Sequence, residues 1–185
     1  MIRFQATLQK PKATARPASW CFVTLPGKAS ALLPSRGMVS IEGTINGRPL
    51  TATLQPDGKG GHWLKVSKAL RDAAGAEPGE TVALEIKPVA QEPEPRMPAD
   101  LRKALAVAPA KARGAWKDIT PAARRDFIHW IISPKKPETR VKRVATACDM
   151  LAQGKRRPCC FDRSGMYDQS LSCPVAADSP PKRRR

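Results

Sequence analysis

The sequence predicts an α+β protein in which a small closed β-barrel precedes a small domain of four helices and a basic tail. Two patterns predict this order: short apolar runs separated by Gly and Pro in the first half, and helical spacing of apolar residues in the second. A Pro- and Glu-rich stretch between them is typical of an extended linker. We therefore expect a barrel over residues 1–88, a linker over 89–97, a helical domain over 98–154 and a disordered tail over 155–185.

Short apolar runs in the first domain read as β-strands. Residues 2–8 alternate apolar and polar side chains, as a half-buried strand does. Asn46-Gly47 lies between two such runs and is a strong hairpin signal, because both turn positions need a positive φ. About seven strands are expected in all, among them runs at 20–25, 39–45, 50–54, 62–66 and 81–86.

A weak internal repeat indicates how these strands close. WCFVTLP, KASALL and MVSIEGTI in the first half correspond to HWLKV, SKALRDAAG and TVALEI in the second. Ser67 suits the N-cap of the second short helix, and Gly75 suits the position just past its end. Each half alone would leave an apolar face exposed to water, so we expect the two halves to close into a barrel with few free edges.

Four helical patterns follow the linker. Proline fits the first turn of a helix, so Pro98, Thr120-Pro121 and Pro137 are expected at helix starts. Apolar side chains at helical spacing predict the buried side of these helices: Leu101, Leu105, Ala108, Ala112, Trp116, Phe127, Trp130, Ile131, Val141, Val144, Cys148 and Leu151. Four short helices can enclose one modest core.

Positive charge is the strongest global feature. The chain has 33 Lys and Arg against 16 Asp and Glu, a net charge of +17. Such a balance favours an acidic protein, an anionic surface or nucleic acid as the partner. A solvated basic surface without a partner is an equally good explanation of the charge.

Catalytic and metal-binding patterns are missing from the sequence. It contains no GxSxG, P-loop, HExxH or GxGxxG motif, and no paired CxxC. We therefore expect no enzyme, no cofactor and no metal, with His62 and His129 as structural or surface residues. Gly60-Gly61 predicts a hairpin loop rather than a phosphate loop, because no helix follows it. A redox or metal-binding role for Cys159-Cys160 is a weaker alternative, since adjacent cysteines are poorly placed to hold one metal ion or to bridge each other.

The opening residues, MIRFQATLQKPK, contain no apolar signal core, and no run in the chain approaches the length of a membrane span. We therefore expect a cytoplasmic protein.

Basic residues crowd the start of the fourth helix, in SPKKPETRVKRV. If Pro137 begins this helix, its first N–H groups lie close to the lysine pair before it, and amides and cations together favour an anionic partner. The candidate anion- or partner-binding residues are Lys135, Lys136, Arg140, Lys142, Arg143, Arg124 and Arg125. The alternative is a solvated face in which Arg140 and Glu138 bond within the domain.

Two stretches of the chain resemble known bacterial families. TINGRPLTATL and the strands around it resemble a barrel family known as domain of unknown function 1905. The stretch from MPADLRKAL through KKPETRVKR to MLAQGK is similar to the YdeI/OmpD-associated helical module. The resemblance implies a double-split barrel related to AbrB/MazE-like folds. It also implies a role in protection against bacteriocins or antimicrobial peptides.

From the charge and the resemblance together we expect a binding protein of the bacteriocin-protection or envelope-stress type, which contacts an acidic partner through its basic helical face. The alternative is a nucleic-acid-binding, AbrB-like regulator. That analogy is weakened because such barrels bind DNA as dimers, whereas this one chain supplies both halves of the barrel.

Overall fold

The computed structural model describes residues 1–12, 18–158 and 172–177. Over these residues the chain divides into two compact units. The barrel unit contains residues 1–90 and the described residues 172–177, and the helical unit contains residues 91–158. The expected α+β class, with a barrel first and helices after it, is confirmed.

Six antiparallel strands form the barrel. They are β1 (Ile2–Thr7), β2 (Cys21–Thr24), β3 (Val39–Ile45), β4 (Arg48–Pro56), β5 (His62–Val66) and β6 (Thr81–Pro88). Their order is β1-β6-β3-β4-β5-β2. The described residues thus contain six strands rather than about seven, one for each of the six apolar runs named from the sequence. Strand β4 runs unbroken for 9 residues and pairs first with β3 and then with β5.

Backbone hydrogen bonds bring the two edges of this sheet together. Gln9 N donates to Phe22 O at 2.8 Å, and Phe22 N donates to Gln9 O at 2.9 Å. This single antiparallel bridge joins the end of β1 to β2, so the barrel is nearly closed and its edges are short.

Residues 172–177 lie within the segment expected to be a tail, and here they pair with the barrel. Lys12 N donates to Val175 O at 2.7 Å, and Ala177 N donates to Lys10 O at 2.9 Å. These bonds form an antiparallel bridge beyond β1.

Local signals place the turns and short helices of the barrel where they were expected. Asn46 and Gly47 have φ values of 46° and 75°, as the predicted hairpin turn requires. The barrel helices are α1 (Gly27–Ala31) and α2 (Lys68–Ala73). Ser67 caps α2 by accepting a hydrogen bond from Leu70 N at 3.2 Å, and Gly75 follows α2 with a φ of 59°. The fully buried core includes Leu8, Val23, Ile41, Ile45, Leu54, Val66, Val82 and Ile86.

The helical unit contains α3 (Ala99–Val107), α4 (Ala110–Asp118), α5 (Pro121–Ile132) and α6 (Pro137–Ala152). Two of the predicted helix starts are met directly, since Pro121 and Pro137 open α5 and α6. Thr120 caps α5 by accepting a hydrogen bond from Ala123 N at 3.2 Å. The core of this unit includes Leu101, Ala112, Phe127, Ile131, Ala147 and Leu151. None of the helices in the described ranges is both long and apolar enough to cross a bilayer.

One residue of the predicted buried side was placed wrongly. Val141 is 70% exposed. The buried face of α6 is centred on Val144, Ala147 and Leu151, and Val141 lies about 80° from that centre around the helix axis, at about 100° per residue. Sequence spacing alone placed Val141 on the buried side of α6. In the structure the start of α6 presents the neighbouring residue, Arg140, to α3 instead.

Candidate functional site

Three of the predicted partner-binding residues are exposed lysines at the start of α6. Lys136 is the N-cap of α6, Lys135 precedes it, and Lys142 follows one turn into the helix. None of the three has an ion-pair partner among the described residues. We call these three residues the lysine face.

Arg140 differs from these lysines because it is bonded inside the unit. Its Nε donates to Asp100 Oδ2 at 2.7 Å, and Asp100 Oδ1 accepts from Leu101 N at 2.9 Å. The Arg140 guanidinium holds the pKa of Asp100 below its usual value, and the carboxylate in turn raises the pKa of Arg140. The partner of Arg140 within the unit, Asp100, lies at the start of α3, so this ion pair joins α6 to that helix.

Arg143 joins α6 to the end of α5. Its Nη1 donates to the carbonyl oxygen of Trp130 at 2.6 Å and to Ser133 Oγ at 3.0 Å. The guanidinium also lies over the Trp130 ring, 5.0 Å from the ring centroid. Such a stacked, hydrogen-bonded arginine positions the helix more than it offers charge to a partner.

Arg124 and Arg125, on α5, hold the segment that precedes α3. Arg124 Nη1 donates to Glu94, and Arg125 Nη1 donates to Glu92. Arg124 also donates to the carbonyl oxygen of Trp116 at 2.9 Å and to that of Lys117 at 2.7 Å. The acidic residues of the predicted linker are therefore bound to α5.

Arginine and lysine thus have different roles in the helical unit. Residues 91–158 contain 16 Lys and Arg against 7 Asp and Glu, a net charge of +9. At least five ion pairs form within the unit, and each uses an arginine: Arg124–Glu94, Arg125–Glu92, Arg140–Asp100, Arg156–Asp118 and Arg157–Asp126. The planar guanidinium fork matches a carboxylate better than an ammonium does. Lysines therefore carry most of the positive charge that remains for a partner.

His129 adds no charge to this surface. Burial, and then the nearby charge of Arg125, lower the pKa of His129. The imidazole is consequently neutral at pH 7, in agreement with a structural role.

A second candidate site lies in the barrel unit. An open cleft of about 610 Å³ is bounded on one side by α1 and the loop after it, and on the other by the loop between β4 and β5. We call it the barrel cleft. Residues from both sides line it, among them Leu25, Ser30, Leu33, Arg36, Asp57 and Lys59.

His62 lies buried next to this cleft and is only 1% exposed. Its Nε2 is 3.0 Å from the carbonyl oxygen of Gly37, and its Nδ1 is 2.9 Å from Ser30 Oγ. A carbonyl oxygen only accepts, so Nε2 carries a hydrogen. Burial lowers the pKa of His62, so the ring is neutral and Nδ1 accepts from the Ser30 hydroxyl.

The loop that the sequence identified as a hairpin rather than a phosphate loop is built around Asp57. Asp57 Oδ1 accepts hydrogen bonds from Lys59 N at 2.7 Å and from Gly61 N at 2.8 Å. Asp57 N donates to Gly61 O at 3.0 Å and closes the loop. A Cβ on Gly61 would lie 2.5 Å from Asp57 Oδ2, so a side chain at this position would displace the carboxylate that orders the loop.

The described residues contain no group of three or more His, Cys, Asp or Glu that could hold a metal ion. Cys21 and Cys148 are buried, Cys173 is half-buried, and all three are free thiols. Cys159 and Cys160 lie outside the described residues, so their suggested redox or metal-binding role stays a hypothesis.

Comparison with known families gives one match for each unit. Residues 4–86 match the family model described as domain of unknown function 1905. Residues 94–154 match the model described as bacteriocin-protection, YdeI or OmpD-associated. A search of curated proteins finds no match to the chain. The two matched ranges agree with the resemblance stated from the sequence.

Proposed function

We propose that the chain is a member of the YdeI/OmpD-associated, bacteriocin-protection family with an N-terminal domain of unknown function 1905, and that it is a non-enzymatic binding protein that protects against bacteriocins or related antimicrobial peptides. Its partner is an acidic protein or an anionic surface. The lysine face of Lys135, Lys136 and Lys142 makes the contact. The protein acts in the cytoplasm, as part of an envelope-stress response.

The observation that carries this proposal is the contrast between lysines and arginines around α6. The three lysines are exposed and have no ion-pair partner in the described ranges, whereas Arg140 and Arg143 beside them are bonded within the unit. A lysine without a partner can form a new ion pair without breaking an old one. Charge-assisted hydrogen bonds to carboxylates then add specificity to the attraction.

The four arginines that the sequence also named as candidates support the lysine face indirectly. Arg140 and Arg143 hold the first two turns of α6 against α3 and α5. Arg124 and Arg125 hold the segment before α3 against α5. Loss of any of these arginines should therefore reduce binding by loosening the unit rather than by removing a contact.

We also propose that the barrel has a double-split, AbrB/MazE-like architecture. Support comes from the repeated order of its elements, since β2-α1-β3 and β5-α2-β6 are both strand, short helix, strand. The two copies also occupy corresponding places in the sheet, because β3 and β6 are adjacent near one end and β2 and β5 are adjacent at the other.

Survival under bacteriocin challenge tests the protective role. Cells that lack the protein are complemented with the wild type, with the lysine-face variant K135E/K136E/K142E, or with the control variant K103E/K111E/K117E. The control changes the charge by the same amount at three exposed lysines of α3 and α4 that also lack an ion-pair partner among the described residues. We expect the wild type and the control to restore survival, and the lysine-face variant to fail.

Equal survival with both triple variants, at equal protein levels, would show that the lysine face is not the contact. Failure of the wild type to protect against any bacteriocin tested would remove the protective role itself. Capture of partners from a lysate, with and without nuclease, distinguishes an acidic protein partner from a nucleic-acid partner. A nucleic-acid partner would be lost on nuclease treatment, and its affinity would fall with salt with a log–log slope of about −0.9 per neutralised phosphate.

A further inference from the structure

We propose that the barrel cleft is a binding site for a small organic carboxylate, with Arg36 and Lys59 as the groups that hold its negative charge. This site lies in the barrel unit and is independent of the lysine face. It adds a small-molecule ligand to a protein whose proposed partner is macromolecular.

The size and lining of the cleft suit a small molecule with an apolar body. Its volume is about 610 Å³, and ligand pockets typically measure about 300–1,000 Å³. Leu25 and Leu33 contribute apolar surface to the lining, and Arg36 and Lys59, from the two opposite sides, contribute its positive charge. An apolar wall with a few convergent polar groups is the usual composition of a small-molecule site.

The charges in the cleft favour one negative group on the ligand. Neither Arg36 nor Lys59 has an ion-pair partner in the part of the chain that the structure describes. The carboxylate of Asp57 is turned to its own loop, where Oδ1 accepts two backbone N–H groups. The lining therefore holds two cations and one carboxylate whose charge is already partly stabilised.

The same three residues argue for a carboxylate rather than a phosphate. A guanidinium such as that of Arg36 pairs with a carboxylate or a phosphate through two parallel hydrogen bonds, so the charge balance of the lining decides between them. The charge of Asp57 within the same lining repels a second negative charge on the ligand, because like charges close together are disfavoured. A singly charged anion thus fits the balance of the site.

Both sides of the cleft are held by one buried side chain. His62 bonds Ser30 on α1 and Gly37 in the loop that carries Arg36, and it directly follows the loop that carries Lys59. Gly37 N also donates to Ser35 Oγ at 3.0 Å, which orders the residues on both sides of Arg36. A site whose walls are fixed before the ligand arrives loses less entropy on binding. The hydrogen bonds of His62 to Ser30 and Gly37 therefore distinguish this cleft from a chance gap between two flexible loops.

Titration of the full-length protein with 4-phenylbutyrate, followed by the backbone amide signals, tests the proposal. The neutral analogue 4-phenylbutanamide has nearly the same shape and serves as the ligand control. We expect the carboxylate to shift the amides of Arg36, Gly37, Lys59 and Gly60, and to bind at least about tenfold more tightly than the amide. R36Q and K59Q should each weaken carboxylate binding by about tenfold, whereas R48Q, which removes an exposed arginine outside the cleft, should leave it unchanged.

Three results would overturn the proposal. One is equal affinity for the carboxylate and the amide. The second is carboxylate binding that R36Q and K59Q do not weaken. The third is the absence of shifts at these amides up to about 10 mM of phenylbutyrate, benzoate and hexanoate, since a site of even millimolar affinity would be occupied at that concentration. The lysine-face variant, K135E/K136E/K142E, is measured in parallel and should bind the carboxylate as the wild type does.

Discussion

The Arg157 guanidinium donates a hydrogen bond from Nη1 to Oδ2 of Asp126, whose side chain is only 1% exposed. Its neighbour Arg156 makes the same kind of ion pair with Asp118, but there both side chains are largely exposed, at 61% and 70%. Two adjacent arginines therefore form chemically identical pairs that differ in burial. The helical unit provides its own matched comparison of a buried and a surface ion pair.

Replacing Arg157 with alanine should destabilise the helical unit by about 1.5–3 kcal/mol, because the buried carboxylate of Asp126 loses a charged hydrogen-bond donor. Replacing Arg156 with alanine should cost no more than about 1 kcal/mol, since exposed ion pairs contribute little. Urea denaturation of each variant, followed by helical circular dichroism, measures both changes. Losses of equal size would show that burial of Asp126 does not control the strength of the pair.

The double variant R157A/D126N separates the buried charge from lost packing. With asparagine in place of aspartate, no charge remains buried, so part of the stability lost in R157A should return. A double variant that is less stable than the single R157A variant would contradict this account.

Two glycines should respond to alanine with opposite signs. A Cβ on Gly43 would lie 1.9 Å from the carbonyl oxygen of Glu85, where β3 meets β6. Backbone atoms cannot move aside cheaply, so G43A should destabilise the barrel by about 3 kcal/mol, the upper end of the usual cost of overpacking. Gly114 lies within α4, and apart from the backbone of that helix no heavy atom of the described residues is within 4 Å of the place where a methyl group would be added. G114A should therefore stabilise the helical unit by about 0.5–1 kcal/mol.

Thermal unfolding of the two glycine variants, followed by amide signals of each unit, checks the signs. Unchanged stability of the barrel in G43A would mean that β3 and β6 can separate at this point without cost.

Short-range signals predicted much of this fold. Thr120 and Pro121 start α5, Ser67 caps α2, and Asn46-Gly47 forms the hairpin turn, because each depends on only a few neighbouring residues. The family resemblance came from similarly local strings.

The sequence did not predict which carboxylate each charged side chain binds. Arg140 and Asp100 are 40 residues apart, and Arg125 and Glu92 are 33 apart. Which carboxylate a guanidinium reaches depends on how the helices pack, and spacing along the chain carries no signal of it. Lysines and arginines consequently looked alike as partner-binding residues in the sequence, whereas the structure separates them. The barrel cleft was missed for the same reason, since Arg36 and Lys59 lie on different loops.

Acidification should destabilise both units. Burial lowers the pKa of His62 and of His129 below the value of 6.5 that a free imidazole has, so the unfolded chain binds protons more readily than the folded one. The unfolding free energy should therefore be constant between about pH 7 and pH 8 and should fall as the pH drops below 6.5, until the folded pKa of each histidine is passed. The depressed pKa of Asp100 adds a further loss near and below its usual value of 3.8.

Denaturation of the wild type between about pH 8 and pH 4.5 measures this dependence. His62→Gln should reduce the slope in the barrel unit, because glutamine keeps a side-chain donor and acceptor but does not titrate in this range. The slope in the helical unit should be unchanged in this variant. A barrel whose stability rises on acidification would contradict the buried, neutral state of His62.

Ser30 and His62 are hydrogen-bonded as the nucleophile and base of a hydrolase would be. We nevertheless expect the Ser30 hydroxyl to be unreactive as a nucleophile. At 2.9 Å the two atoms are within catalytic distance. However, Ser30 is only 7% exposed, and the imidazole links Ser30 to Gly37 inside the barrel unit, which is the arrangement of a structural tie. A fluorophosphonate probe, which labels activated serines, should therefore leave Ser30 unmodified when the intact protein is analysed by mass spectrometry. Stoichiometric labelling at Ser30 that is abolished in His62→Gln would instead make the barrel cleft an enzyme active site, and the protein would no longer be a purely binding one.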